Sequence, residues 1–179
     1  EPSKSIELGI QTVHQENQLV EELSVADNIF LHDLPSNRFG FVHESASVNA
    51  ASDLLKELSI AISPDRKLSD LTFIERKLVS LAKATSRNAQ ILILDEPTAS
   101  LDEKGKNILF RLIRKYTEKG RGVIYVSHHL GEIFEICDRV TVLKDGRKVG
   151  THQVKEIGIN DIIHQMIGRS TTSLYNRKR

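Results

Sequence analysis

Hydrophobic and polar positions follow two different periods along this chain, and the switch between them outlines its elements. A short apolar run from Gly9 to His14 reads as a strand. It is preceded by a periodic stretch, Ser5 to Leu8, that looks like the tail of something longer. Residues 16–43 are mixed, with Leu34-Pro35-Ser36-Asn37 marking a loop. From Glu44 to Ser59, Val48, Ala51, Leu55 and Leu58 recur at helical spacing, which predicts an amphipathic helix broken at Ser63-Pro64-Asp65. A second helix is predicted over Ile74 to Thr85, with Leu78, Leu81 and Ala82 inward.

The period then changes. Ile91-Leu92-Ile93-Leu94 is an unbroken apolar run, the pattern of a strand buried on both faces of a parallel sheet. Glu103 to Lys119 reads as a helix through Ile108, Leu109, Leu112, Ile113 and Tyr116, ended by Gly120, and Gly122 to Ser127 reads as another buried strand. Leu130, Ile133, Phe134 and Cys137 form a helical face. Val140 to Leu143 leads through Asp145-Gly146 into Arg147-Lys148-Val149, a hairpin with a suitable turn pair. Ile159, Ile162, Ile163 and Met166 predict a closing helix, and Asn176 to Arg179 a solvated basic tail. Strand and helix in regular succession imply right-handed β-α-β crossovers and an α/β fold with a largely parallel sheet.

Composition narrows the field without choosing within it. The 179 residues carry 25 Lys+Arg against 24 Asp+Glu, a net charge of +1, which argues against nucleic-acid binding by bulk electrostatics alone. With 39% hydrophobic residues the chain has the make-up of a globular domain. No run approaches the ~18 consecutive apolar residues of a membrane span. A lone cysteine, Cys137, excludes an intrachain disulfide framework, and its place on an apolar helical face makes it a packing residue.

The sharpest chemical signal is Ile91-Leu92-Ile93-Leu94-Asp95-Glu96-Pro97-Thr98. A buried strand that delivers two carboxylates at its carboxyl end puts charge where open α/β sheets bind ligands. Asp95 can hold Mg²⁺ and Glu96 can orient or deprotonate a water in line with a terminal phosphate. Taken alone, the pair reads equally well as a strand running into a polar helix cap. Ala99-Ser100-Leu101-Asp102 follows at once, and a second apolar strand ends in Val126-Ser127-His128.

With these landmarks in this order the sequence resembles the ATP-binding subunits of ABC transporters. Asp95 and Glu96 match the Walker B aspartate and the catalytic glutamate, Ser100 to Asp102 the D-loop, and His128 the switch histidine. Val13-His14-Gln15-Glu16 matches the Q-loop, with Gln15 as its glutamine. The resemblance implies a P-loop NTPase-like α/β fold with a helical subdomain, ATP and Mg²⁺ as cofactors, and ATP hydrolysis coupled to transport. It implies Asp95 and Gln15 as metal-side residues, Glu96, His128 and Gln15 as catalytic ones, and Asp102 and Ser100 at the nucleotide. The stretches Glu132 to Arg147 and Met166-Ile167-Gly168-Arg169 look like the ribose, galactose and xylose importers, in which two nucleotide-binding domains lie in tandem. The match is to the first of them. The implied partners are a second nucleotide-binding domain and transmembrane permease subunits, met around Asn17 to Leu31. Nucleic acid and direct membrane insertion are not implied, and the place is the cytoplasmic face of the membrane.

Two departures qualify the resemblance. No Gly-x-x-x-x-Gly-Lys-Ser/Thr occurs, although the family places that phosphate-gripping loop ahead of the Q-loop. The expectation is a fragment lacking the N-terminal part of the domain, and the alternative is a noncatalytic interaction module without ATP binding. On the first view residues 1–15 are a remnant of the core sheet and Q-loop, 16–87 the helical subdomain, 88–170 the catalytic core and 171–179 a tail or linker. An ABC-type ATPase of DNA repair or translation is a weaker rival, since those carry long coiled-coil insertions or basic linkers. Secondly, Leu71-Thr72-Phe73-Ile74-Glu75 stands where the family has Leu-Ser-Gly-Gly-Gln. Thr72 keeps a hydroxyl for the phosphate across the dimer, Phe73 and Ile74 add bulk, and Glu75 brings a negative charge toward phosphate oxygens. The composite site that uses this segment is therefore expected to be weak, and the one served by Asp95, Glu96 and His128 intact.

Overall fold

Parallel strands organise the first of two units, residues 1–126 and 127–179, into which the chain divides in a computed structural model describing residues 2–13, 19–31, 44–87 and 89–167. The loop expected at Leu34 to Asn37, the glutamine Gln15 and the residues from Gly168 onward lie outside those described.

The first unit runs α1 (Pro2–Glu7), β1 (Ile10–Val13), α2 (Val25–Phe30), α3 (Glu44–Glu57), a short turn at Leu68–Asp70, α4 (Phe73–Ser86), β2 (Ile91–Asp95), α5 (Glu103–Thr117) and β3 (Gly122–Val126). The sheet order is β1-β2-β3, all parallel, with Thr12 opposite Ile93, Ile93 opposite Ile124, and Asp95 opposite Val126. Leu92 and Leu94 are buried, and on their face Tyr125 meets Phe110 of α5 edge-on, the ring centroids 6.2 Å apart. The other face corrects the expectation of strands buried on both sides. Ile91 and Ile93 are only half-buried, and Ile124 and Val126 of β3 are 51% and 45% exposed. Within the described residues the apolar run of β3 is therefore open to solvent on that side rather than buried on both.

The helices follow their sequence spacing closely. Ala51, Leu55 and Leu58 are buried along α3, as are Leu78, Leu81 and Ala82 along α4, and Leu109, Leu112, Ile113 and Tyr116 along α5. Tyr116 donates its hydroxyl to the Ala89 carbonyl at 2.6 Å, and burial pushes the phenol above its ordinary pKa. α3 ends earlier than predicted, at Glu57, because the chain turns left-handed at Ser59 (φ +58°) well before Pro64. Lys115 of α5 and Lys119, just past its end, reach Ser59 and Glu57 respectively. α2 was not predicted. It is capped by Ser24, whose hydroxyl accepts from Asp27 N–H at 3.1 Å, and it buries Asn28 alongside Val25, Ala26 and Ile29.

The second unit comprises α6 (Leu130–Ile136), the antiparallel pair β4 (Arg139–Lys144) and β5 (Arg147–Gln153), a turn at Val154–Glu156, and α7 (Ile159–Ile167). Asp145 and Gly146 both have positive φ (+49° and +73°), the two-residue hairpin turn their identity predicts. The His152 ring and the Gln165 amide hydrogen-bond at about 3 Å, tying α7 to β5. A Cβ at Gly150 would stand 2.6 Å from that ring and 2.7 Å from that amide, so the tie exists only because residue 150 has no side chain.

Cys137 follows α6 and is half-buried, as its helical spacing implies. Burial, with the Asp138 carboxylate adding to it, pushes the thiol up to about 11. The thiolate is the reacting species, so iodoacetamide at pH 8 should label the folded chain at least about tenfold more slowly than the urea-unfolded one. Equal rates, read by intact mass, would show that the thiol is not protected.

Candidate functional site

The end of β2 is where the chemistry gathers. Asp95 is its last residue and is exposed, whereas Glu96 is half-buried. Glu96 N–H donates to the Val126 carbonyl at 2.9 Å, extending the β2–β3 ladder by one bond. The chain then turns sharply. Glu96 has φ +45° and Ser100 φ +67°, left-handed conformations that cost about 1–3 kcal/mol each in residues other than glycine. They are held by Ala99 N–H to Glu96 O at 3.1 Å and Leu101 N–H to Thr98 O at 2.9 Å, with Pro97 and Thr98 buried between them. Asp102 closes the turn as the N-cap of α5, its Oδ1 accepting from Gly105 N–H at 2.7 Å. Ser100 is exposed.

The start of α4 is the second piece. Thr72 and Glu75 form a reciprocal capping box: Thr72 Oγ1 accepts from Glu75 N–H, and Glu75 Oε2 accepts from Thr72 N–H at 2.8 Å and from the Thr72 hydroxyl at 2.9 Å. Arg66 donates to the other carboxylate oxygen at 3.0 Å. The Thr72 backbone N–H, helped by its hydroxyl and by Arg66, holds the Glu75 carboxyl below the usual range against an opposing effect of burial. The negative charge foreseen at this position is thus directed into the cap and offset by a guanidinium. Phe73 is half-exposed, with the Lys77 ammonium 5.5 Å from its ring centre.

These two pieces meet at Gly105. A Cβ there would lie 3.1 Å from Asp102 Oδ1 and 3.4 Å from Ile74 Cδ1, so the starts of α4 and α5 approach over a bare α-carbon. One unit therefore contains Asp95, Glu96, Ser100, Asp102, Thr72 and Glu75. His128 belongs to the second unit, two residues along the chain from β3, and is exposed, its ring tilted against that of His129 with centroids 4.0 Å apart. His129 N–H donates to Ser127 Oγ at 2.9 Å, and Ser127 donates to Glu132 at 3.3 Å, which fixes the lead into α6. Sequence reasoning missed Arg66 and a second arginine, Arg76, which donates from α4 to three acceptors at once. The Thr72-x-x-Glu75 spacing was the available signal for the cap.

A strand ending in two carboxylates, a strained turn and an Asp-capped helix leave the family to be decided by comparison. Residues 1–99 match the model of the family described as ABC transporter. The chain belongs to the ABC transporter family. Among ABC proteins, it is 44% identical over 172 residues to a protein named ribose import ATP-binding protein RbsA 1 from Rubrobacter xylanophilus, covering 96% of this chain and 34% of that one. It is 42% identical over 175 residues to one named arabinose import ATP-binding protein AraG from Pseudomonas syringae, covering 97% and 34%. The chain therefore spans about a third of the length of these curated relatives. Its fold is that of the ABC cassette: the ADP conformation of an ATP-binding cassette of an ABC transporter superposes with a TM-score of 0.75 at 20% identity, covering 99% of this chain and 72% of that one.

Proposed function

We propose that this chain is part of the ATP-hydrolysing domain of an ABC importer that takes up a sugar. The observation that carries the reading is the Asp95-Glu96 pair, delivered at the carboxyl end of β2 and fixed there by a left-handed turn. The names of the pentose-import relatives support the sugar.

The donor set fits the metal side of such a site. Asp95 offers exposed carboxylate oxygens, the hard ligands that Mg²⁺ prefers. When bound with ATP, that ion neutralises charge on the phosphates. Glu96, less exposed, would orient the attacking water and take its proton. His128 would hydrogen-bond near the terminal phosphate, and Gln15 would stand at the metal and the water. Ser100 and Asp102 would serve the facing domain, and Thr72 with Glu75 the opposite nucleotide. The 179 residues contain no Gly-x-x-x-x-Gly-Lys-Ser/Thr, so in this reading the phosphate grip would come from polypeptide outside them. The partners in this reading are a second nucleotide-binding domain and permease subunits at the cytoplasmic membrane face, the permease meeting residues 17–31.

Two titrations test it together. The full-length polypeptide with its permease should hydrolyse Mg-ATP, while this chain alone should bind Mg-ATP no more tightly than about 1 mM, roughly −4 kcal/mol. Micromolar affinity of the chain alone by calorimetry, or no turnover by the whole protein, would overturn it.

A further inference from the structure

The start of α2 with the loop before it, and the loop before α4, are far apart in sequence and joined in space. Val25 N–H donates to Arg66 O at 2.9 Å, Ala26 N–H to Pro64 O at 2.9 Å, Leu68 N–H to Leu23 O at 3.0 Å, and Ser69 N–H to Glu21 O at 3.1 Å. Ser24 and Lys67 pair as an isolated antiparallel bridge. Asn28, fully buried, stiffens the first loop: its Nδ2 donates to the Val20 and Ser24 carbonyls at 2.9 Å each, and its Oδ1 accepts from Val20 N–H at 2.7 Å.

Two guanidiniums then pin the turn Leu71 to Glu75 to this pair of loops. Arg76 donates through Nε to Leu71 O at 3.1 Å and through Nη2 to Ser69 O at 3.1 Å, and its Nη1 meets the Glu21 carboxylate at 2.5 Å. Arg66 donates to Asp70 O at 2.6 Å and to Glu75 at 3.0 Å. An isolated surface ion pair contributes little. Here one planar fork engages two backbone carbonyls and a carboxylate, a geometry that lysine cannot reproduce.

We infer that Arg76, paired with Glu21, is a positioning residue that sets the Leu71–Glu75 turn according to the placement of the Val20–Ala26 segment, so that a permease subunit seated on that segment alters how the turn meets nucleotide phosphate. This rests on the function proposed above and adds its regulation. Arg66 fixes the same turn from the other side, through Glu75.

The test uses the full-length protein reconstituted with its permease, comparing Glu21→Gln, Arg76→Gln, Arg76→Lys and the double variant Glu21→Gln/Arg76→Gln. The expected result is a fall of about threefold to tenfold in permease-stimulated ATP turnover for Glu21→Gln and for Arg76→Gln, in kcat rather than KM. The double variant should fall no further than Arg76→Gln, because both remove the same contact. Arg76→Lys should lie between Arg76→Gln and the parent. Unaltered stimulation, losses that multiply in the double variant, or losses that track a drop in Tm would each overturn the inference alone. No ATP turnover by the unsubstituted protein would overturn the proposed function, and this inference with it.

Discussion

Replacing Glu96 by glutamine in the full-length polypeptide should lower ATP turnover about 10²- to 10⁴-fold, the range over which a positioned general base contributes. Glutamine keeps the size of the side chain and the capacity to accept one hydrogen bond, and loses the proton acceptor. The backbone at residue 96 suits either residue equally badly, since φ is +45° in both cases, so the fold should be left intact. Glu75→Gln is the informative contrast. Its carboxylate is already occupied by Thr72 and Arg66, and it sits at the start of a helix rather than at the end of a strand. That substitution should cost less than about tenfold, the share of a cap and one ion pair rather than of a base. Steady-state hydrolysis measured on both variants decides the matter: equal and complete losses would sink the division of labour between the two composite sites.

Phe110→Ala should destabilise the chain by about 3–5 kcal/mol, the usual cost of emptying an aromatic site in a packed core. Phe110 is 1% exposed and meets Tyr125 edge-on, so the substitution removes the ring that covers the sheet under the acidic pair. At ~2–4 °C per kcal/mol for a chain of this size, the melting temperature should fall by roughly 6–20 °C. Ile124→Ala on the uncovered face is the control. That side chain is half-exposed, and its loss should cost below about 1.5 kcal/mol. Urea midpoints that move equally for the two variants would contradict the one-sided burial of the sheet.

How much of this was legible in the sequence depends on which partner a residue uses. α3, α4 and α5 are long enough for their buried positions to recur at helical spacing, and Leu55, Leu81 and Leu112 were placed inward on that ground alone. The hairpin was legible from Asp145-Gly146, because few residue pairs accept two positive φ values. α2 was not, being six residues long with a buried Asn28 whose partners, Val20 and Ser24, lie in the preceding loop. The exposure of Ile124 was hidden as well, since an apolar run reports hydrophobicity and not the number of layers packed on it. In the candidate site, Asp95, Glu96, Ser100 and Asp102 are adjacent in sequence and could be read as one string. Arg66 and Arg76 could not, because Arg76 finds the Glu21 carboxylate 55 positions away through loops that only the fold brings together.

Glycine would sit more comfortably than glutamate at position 96. Under selection for folding alone, the acid is a burden that a single substitution removes, along with strain of about 1–3 kcal/mol. If Glu96 serves hydrolysis as proposed above, copies of this domain released from that task have a downhill path toward losing the carboxylate, and copies that keep the task hold it against that drift.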